Sequence, residues 1–362
     1  MPRKPSVAAL RRRIDRLDDR LLALLNARAA LAQRIGAEKA QANASVYDPA
    51  RERAVLARLA GASRGPLTAP LVRGIFTEIM SAARGLQRRL RVAYLGPEAT
   101  FTHLAARRHL GRAADYLPVP TVAEVFQAVE QGHADLGVVP VENSTEGMVA
   151  HTLDLLVESP LRIAAEVVLP VQHCLVARHG TRLERIRLVV AHPQALAQCR
   201  RWLAAHLPGV RTAEATSNAR AAERAAAEPR TAAIAAAAAA ETYGLAVIVP
   251  AIQDEAGNVT RFLVLAHHDA PRPSGDDRTS LLFSVRDEVG ILVEMLKPFA
   301  RHGIDLIKIE SRPLRERPWE YYFFVDLKGH RAEPRVRRAL AAVGRRALRL
   351  KVLGSYPAAP EG

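Results

Sequence analysis

The sequence predicts three folded parts in series: an all-α helical part, an α/β part built as two lobes, and a small α+β part. Three observations carry this reading. Leu10, Leu17, Leu24 and Leu31 recur every seven residues, a helical period. From residue 92 onward, short apolar runs alternate with helical stretches, the texture of an α/β sheet. After residue 278 the pattern reads β-α-β-β-α-β.

Taken in order, residues 6–40 form one predicted helix. Ile14, Leu21 and Ile35 join the leucines in an apolar seam suited to packing against another long helix. GASRGP at 61–66 is a break, leaving further helices over 48–60 and 67–90. One long helix with two shorter ones buries its seam poorly alone, which points to an intertwined dimer. Strands are expected at VAYLG (92–96), LGVVPV (136–141), VVLPV (167–171), LVVAH (188–192), AAIAAA and LAVIVP. LAARRHL, AEVFQAVEQ and ALAQCRRWLAAHL supply intervening helical stretches, and the alanine run Ala235 to Ala240 reads as plain helix. Polar residues gather just past strand ends, where open α/β sheets bind ligands, and the units suffice for two lobes around a cleft. APRPSGDDR, 270–278, reads as a linker. Beyond it come the strand TSLLFSVRD, the helix ILVEMLKPFARHG, the strands IDLIKIESRP and YYFFVDLKG, the helix VRRALAAVGRR and the strand LRLKVLGSYP.

Composition narrows the class. Apolar content of 49% and charged content of 25% are ordinary for a soluble protein. Cys174 and Cys199 are too few for a disulfide framework or a cysteine-rich metal site, and point to a reducing compartment. No apolar run reaches the ~18 residues of a membrane span, and the N-terminus has charge without an apolar signal core. A cytoplasmic protein with no membrane partner is expected. The net charge of +15 is uneven, because residues 1–90 hold 18 Lys and Arg against 7 Asp and Glu. Three readings are open: a nucleic-acid surface, arginine-rich solvated helix faces, or a site for small anions. No motif of the usual nucleic-acid modules is visible, so no nucleic-acid partner is expected.

Arg28 falls on the apolar seam, where a charge is costly unless paired. Lys39, eleven residues on, lands within about 20° of the same face and ~16 Å away, so the two side chains can clamp a compact dianion. Arg11 points about 100° away and suits the equivalent site of a partner chain. A structural seam salt bridge is the alternative. Asp48, Arg51 and Glu52 share one face at the start of the second helix, which also fits a salt-bridged helix start. Gln87 is the neutral polar member of the row Phe76, Met80, Ala83, Gln87. VPVENSTEG, 139–147, places five polar residues at the end of a core strand, either a capped turn or a ligand-binding strand end. His103 in FTHLAA is either a helix-start histidine or an acid.

These motifs carry a resemblance. LRRRIDRLDDRLLALLNAR, EK, YDPARER and FTEIMSAARGLQ resemble the helical chorismate mutase domain that begins bifunctional proteobacterial P-proteins. GPEATFTHLAA, VPVENSTEG, AHPQALAQC and IQDEAGNVTRF resemble the prephenate dehydratase domain, whose two α/β lobes are periplasmic-binding-protein-like. ESRP and the final β-α-β-β-α-β resemble an ACT regulatory domain. The resemblance implies domains at 1–90, 91–268 and 279–356. It implies that Arg11 from a partner chain, Arg28 and Arg51 bind substrate carboxylates, that Lys39 and Gln87 bind the ether oxygen, and that Asp48 and Glu52 take the hydroxyl. Ala83 stands where some members have Ser. Asn143, Glu142 and Gln194 would bind prephenate, with Glu142 otherwise fixing its loop, and Thr260 would be essential to dehydration. Gly290, Ile291, Leu292 and Val293 with Glu310 and Ser311 would bind L-phenylalanine as feedback inhibitor. The chemistry needs neither metal nor cofactor. Ala99 occupies a position where the family has Gly, so a tighter loop is expected there.

Overall fold

The computed structural model describes residues 6–42, 45–286, 288–313 and 321–359, so residues 1–5 of the expected first domain lie outside the described residues. The chain divides into two compact units, one of residues 1–48, 55–90 and 110–115, the other of 49–54, 91–109 and 116–362.

The first unit is helical. α1 (Val7–Gln41) opens on Ser6, whose hydroxyl accepts the Ala9 N–H at 3.2 Å as an N-cap. α2 (Pro49–Ala62) and α3 (Ala69–Gln87) follow. α3 packs on α1 where Gly36 leaves room: a Cβ there would lie 2.6 Å from Gln87 Cγ. α3 buries Val72, Met80 and Ala83, but α1 buries nothing. Its seam is bare, with Leu17 60% and Leu24 69% exposed.

Three sheets organise the second unit. The first holds β1 (Arg91–Leu95), β2 (Asp115–Val119), β3 (Leu136–Asn143), β4 (Gly147–Met148) and β5 (Arg162–Pro170), with α4 (Phe101–Leu110), α5 (Val122–Glu130) and α6 (Ala150–Glu158). The second holds β6 (Cys174–Ala177), β7 (Leu188–Ala191), β8 (Arg211–Glu214), β9 (Thr231–Ala235) and β10 (Ala246–Val249), with α7 (Pro193–Gln198), α8 (Arg200–His206), α9 (Asn218–Ala227) and α10 (Ala237–Thr242). The chain then returns, and β11 (Val259–Ala266) enters the first sheet, giving the order β2-β1-β3-β11-β5. β1 and β3 run parallel, whereas β11 is antiparallel to both of its neighbours. The second sheet runs β10-β6-β9-β7-β8.

β12 (Asp277–Ser284), α11 (Ile291–Arg301), β13 (Leu306–Pro313), β14 (Tyr321–Lys328), α12 (Pro334–Gly344) and β15 (Arg349–Pro357) form the third sheet, order β13-β14-β12-β15. This is the expected ferredoxin-like arrangement. One face packs on α11 and α12 through Phe283, Met295, Phe299 and Val336. On the opposite face, Leu282, Phe324, Leu353 and Tyr356 join one apolar cluster with Val141, Leu153, Leu156, Ile163 and Leu263 of the first lobe. β15 lies so close to β5 that a Cβ at Gly354 would sit 2.2 Å from the Ile163 carbonyl oxygen. The stretch 270–278 therefore joins two parts that share a core, rather than tethering a loose module.

Two local readings need correction. The alanine run is not all helix: Ala235 ends β9 and α10 starts at Ala237. ALAQCRRWLAAHL is two helices with the break at Cys199. The Asp254 carboxylate accepts the N–H groups of Arg201 and Trp202, each at 2.9 Å, and so gives α8 an N-terminal cap of its own.

Candidate active sites

The polar end of β3 meets β11 at the cleft between the two lobes. Asn143 pairs with Thr260 across the ladder, and Asn143 Nδ2 donates to Thr260 Oγ1 at 2.8 Å and to Asn258 Oδ1 at 2.8 Å. Asn143 Oδ1 accepts the N–H of Thr145 at 3.0 Å and of Glu146 at 3.2 Å. The ENSTEG segment is thus a tight hairpin into β4, with Gly147 at φ 82° as its left-handed residue. The Thr145 and Glu146 amides are occupied by Asn143, and the Ser144 amide donates to the Val259 carbonyl of β11 at 2.9 Å. From the second lobe, Gln198 Oε1 accepts Asn258 Nδ2 at 3.1 Å, and Gln198 Nε2 donates to Thr145 Oγ1 and Glu146 Oε1, both at 3.2 Å. His173 Nε2 lies 2.9 Å from the same Gln198 oxygen, with Nδ1 buried and without a hydrogen-bond partner. Burial lowers the His173 pKa, outweighing the hydrogen bond to the Gln198 oxygen that raises it, so the ring is neutral and donates from Nε2. Thr145, Gln198, Arg200, Arg201, Gln253 and Asn258 border a cavity of about 350 Å³, a size that admits a small organic ligand.

Of the residues expected here, Asn143 and Thr260 come together. Gln194 stands exposed at the start of α7, outside this hydrogen-bond network, and Gln198 one turn later joins it. Gln198 and His173 were missed by sequence reasoning. The only signal for Gln198 was its i, i+4 spacing from Gln194, which puts both on one helix face. His103 is buried, stacks on Tyr94 at 4.7 Å, and accepts the Ala99 N–H on Nδ1 at 3.1 Å. It holds the loop before α4, where Ala99 adopts φ 63°, a conformation glycine takes without steric cost.

The other face of the same two strands is charged. Glu142 pairs with Arg261 in the ladder, and its carboxylate is bonded by Lys308 of β13 and lies 3.7 Å from Arg261 Nη1. Arg261 donates from Nε to Glu166 at 2.7 Å, from Nη1 to Asp326 at 2.6 Å and from Nη2 to the Tyr356 hydroxyl at 2.9 Å. Burial alone would favour a neutral guanidine, but Tyr356, Asp326 and Glu166 outweigh it and hold Arg261 charged. Arg278 donates to Glu166 at 2.7 Å. Two residues beyond Lys308, Glu310 faces the same side of β13, and Arg312 reaches Asp154 at 2.9 Å. Ser311 points to the opposite face of the sheet, toward α11, whose start is the left-handed Gly290 followed by Ile291, Leu292 and Val293. Within one chain, Glu310 and the Gly290–Val293 turn lie on opposite faces of the sheet.

In the helical unit, Arg28 and Lys39 are half-buried on the unbroken α1, while Arg11 is exposed. Lys39 Nζ donates to the carbonyls of Ser45 at 2.9 Å and Val46 at 3.2 Å, leaving one of its three hydrogens. Gln87 lies against Gly36, and its Oε1 is buried without a partner. Ala83 is buried and Asp48 is half-buried in the same unit, whereas Arg51 and Glu52 belong to the second unit.

Comparison with known proteins gives the same order of parts. Residues 10–88 match the chorismate mutase type II family model, 92–270 the prephenate dehydratase model and 279–345 the ACT domain model. The chain is 46% identical over 354 residues to the bifunctional chorismate mutase/prephenate dehydratase of Aquifex aeolicus, covering 97% of each chain. It is 44% identical over 364 residues to that of Stutzerimonas stutzeri, covering 99% of this chain and 100% of the relative. Among solved structures, the prephenate dehydratase of Arthrobacter aurescens in complex with L-Phe is 37% identical with a TM-score of 0.69, covering 74% of this chain and 90% of that one.

Proposed function

We propose that this chain, which belongs to the bifunctional chorismate mutase/prephenate dehydratase family, converts chorismate to prephenate and prephenate to phenylpyruvate in two separate sites. The observation that carries the second activity is the 2.8 Å hydrogen bond from Asn143 to Thr260 at the cleft. Because Asn143 fills an acceptor position on Oγ1, the Thr260 O–H is left to donate to the ring hydroxyl of prephenate. That bond stabilises the departing hydroxyl as carbon dioxide leaves and the ring aromatises. Neutral His173 and Gln198 hold the Asn258 amide, which in turn fixes Asn143.

The first activity is a pericyclic rearrangement, so its site acts by holding the folded conformer and stabilising charge on the breaking ether bond. Arg28, Arg51 and a second copy's Arg11 take the carboxylates. Lys39 and Gln87 take the ether oxygen, and Asp48 and Glu52 take the hydroxyl beside Ala83. Gln87 bonds the ether oxygen from its Nε2 hydrogens, because its buried Oε1 is itself an acceptor and cannot bond an ether oxygen. The bare leucine seam of α1 supports a homodimer, with a second copy covering it. L-phenylalanine acts as feedback inhibitor through the C-terminal part, a reading supported by likeness to the relative solved with L-Phe. We place the domains at 1–90, 91–268 and 279–356 and the protein in the cytoplasm, consistent with two buried free cysteines and with no described helix long and apolar enough to cross a membrane.

The test is to supply chorismate to the purified chain and follow prephenate and phenylpyruvate separately, with and without L-phenylalanine. Both products are expected, with phenylpyruvate suppressed by the effector. Failure to form either product from its precursor removes that activity.

A further inference from the structure

Adjacent rungs of the β3–β11 ladder face opposite ways. Asn143 and Thr260 form one rung, Glu142 and Arg261 the next. Alternation of side chains along a strand sends the first pair into the cleft and the second to the far side of the sheet. On that far side they enter a cluster of three cations, Arg261, Arg278 and Lys308, against three anions, Glu142, Glu166 and Asp326. The cluster is dry at its centre: the Glu166 side chain is 1% exposed and that of Arg261 is 11% exposed. Ser280 and Tyr356 complete it with hydroxyl bonds of 2.5 and 2.6 Å. Lys308, Asp326, Arg278, Ser280 and Tyr356 all belong to the C-terminal sheet, so four of its strands grip the two catalytic strands from behind. Beside the cluster lies a cavity of about 30 Å³, bordered by Arg261, Lys308, Glu310 and Asp326, room for about one or two waters. The inner face of β13 thus runs without interruption from Lys308 to the Glu310 of the ESRP motif.

We propose that Glu142 and Arg261 are positioning residues for dehydration rather than substrate ligands, and that the C-terminal domain sets the Asn143–Thr260 geometry through them, with Lys308 as its handle. The inference rests on the dehydratase reading above. Each handle is one peptide bond from the group it aims: Glu142 from Asn143, and Arg261 from Thr260. The Arg261–Asp326 pair, 11% and 12% exposed, tolerates little displacement, because a buried charge pulled from its partner is strongly destabilised, and the half-buried Lys308–Glu142 pair extends the grip to β13. A shift of β13 against the lobe is therefore passed to the cleft, where a misplacement of about 1 Å can cost ~10² in rate. Glu142 is spent on this contact, which leaves Asn143 and Thr145 among the ENSTEG side chains on the cleft side.

Full-length Lys308→Met, Lys308→Arg, Glu142→Gln and the Glu142→Gln/Lys308→Met double variant test this. Prephenate turnover is measured with and without L-phenylalanine, with chorismate rearrangement and thermal melting as controls on folding. Lys308→Met should lower kcat for dehydration about tenfold with KM within about twofold, and Lys308→Arg should recover most of it. The double variant should be no worse than the poorer single one, because both remove the same contact. The half-inhibitory phenylalanine concentration should shift several-fold in Lys308→Met and not in Lys308→Arg. A folded Lys308→Met chain with wild-type kcat and inhibition overturns the proposal, as does a rise in KM alone on Glu142→Gln, which would mark a substrate ligand. Wild-type protein that makes no phenylpyruvate from prephenate overturns the dehydratase reading itself and this inference with it.

Discussion

Replacing Gly354 by alanine puts a methyl carbon 2.2 Å from the Ile163 carbonyl oxygen and 2.9 Å from the Ile163 nitrogen. Both are backbone atoms of β5, held in its ladder to β11, so neither can rotate away. Relief requires β15 to back off from β5 by about 1 Å. That movement strains the contacts of Leu353 and Tyr356 with the first lobe, and through Tyr356 the bond to Arg261. Overpacking of a well-filled core costs about 1–3 kcal/mol and occasionally more; with backbone on both sides of the clash, the upper end applies, about 3 kcal/mol. At roughly 2–4 °C per kcal/mol for a unit of this size, the transition should fall by about 6–12 °C. Differential scanning calorimetry of the full chain reads this directly, and dehydration should fall with it while chorismate rearrangement in the helical unit persists below the transition. A Gly354→Ala melting curve within about 2 °C of wild type would refute the idea that the C-terminal sheet is docked by direct backbone contact.

Thr260→Ala should lose about 10²–10³ in dehydration with near-normal rearrangement, checked by supplying each substrate separately. Truncation after residue 270 should fail to give a native dehydratase. It strips four large side chains from a shared cluster, at about 1.5–3 kcal/mol each, and removes Asp326 from a buried Arg261, at about 3–5 kcal/mol. The sum rivals the whole stability of a domain, about 5–15 kcal/mol; a soluble fragment with a cooperative melt would show that the lobe stands alone. Mixing inactive Arg11→Ala with inactive Arg28→Ala chains should restore part of the mutase activity, and no recovery after verified subunit exchange would place the site within one chain. Acidification should destabilise the second unit, because burial lowers the pKa of both His103 and His173 from 6.5. As pH falls through 6.5 the unfolded chain takes up protons that the folded chain refuses, so stability drops from near neutrality down to the folded pKa values. Urea titrations at pH 7.5, 6.0 and 5.0 should show a shallower fall for His173→Gln.

Where the local pattern dominates, the sequence was readable. The heptad leucines place α1 within a residue of its observed ends, because a repeat every seven residues has one helical solution. The alternation of the C-terminal stretch gave its β-α-β-β-α-β order for the same reason. Boundaries failed where the deciding group was distant. The break at Cys199 depends on Asp254, more than fifty residues later, and no feature of ALAQCRRWLAAHL announces it.

The sequence by itself determined the order of the parts, the helical periods, and the polar motifs ENSTEG and NVTRF that hold Asn143 and Thr260. The tertiary structure alone decided which of two glutamines one turn apart enters the cleft, because spacing puts Gln194 and Gln198 on one helix face and only the approach of the lobes chooses between them. It alone placed β11 between β3 and β5, after the chain had built an entire second lobe. Pairing between strands about ninety residues apart or more is a non-local match of hydrogen bonds and burial, invisible to any window of sequence. That pairing turns ENSTEG and NVTRF, each a short polar motif, into one two-sided device: Asn143 and Thr260 toward the cleft, Glu142 and Arg261 toward the C-terminal sheet, because neighbouring side chains on a strand must point to opposite faces.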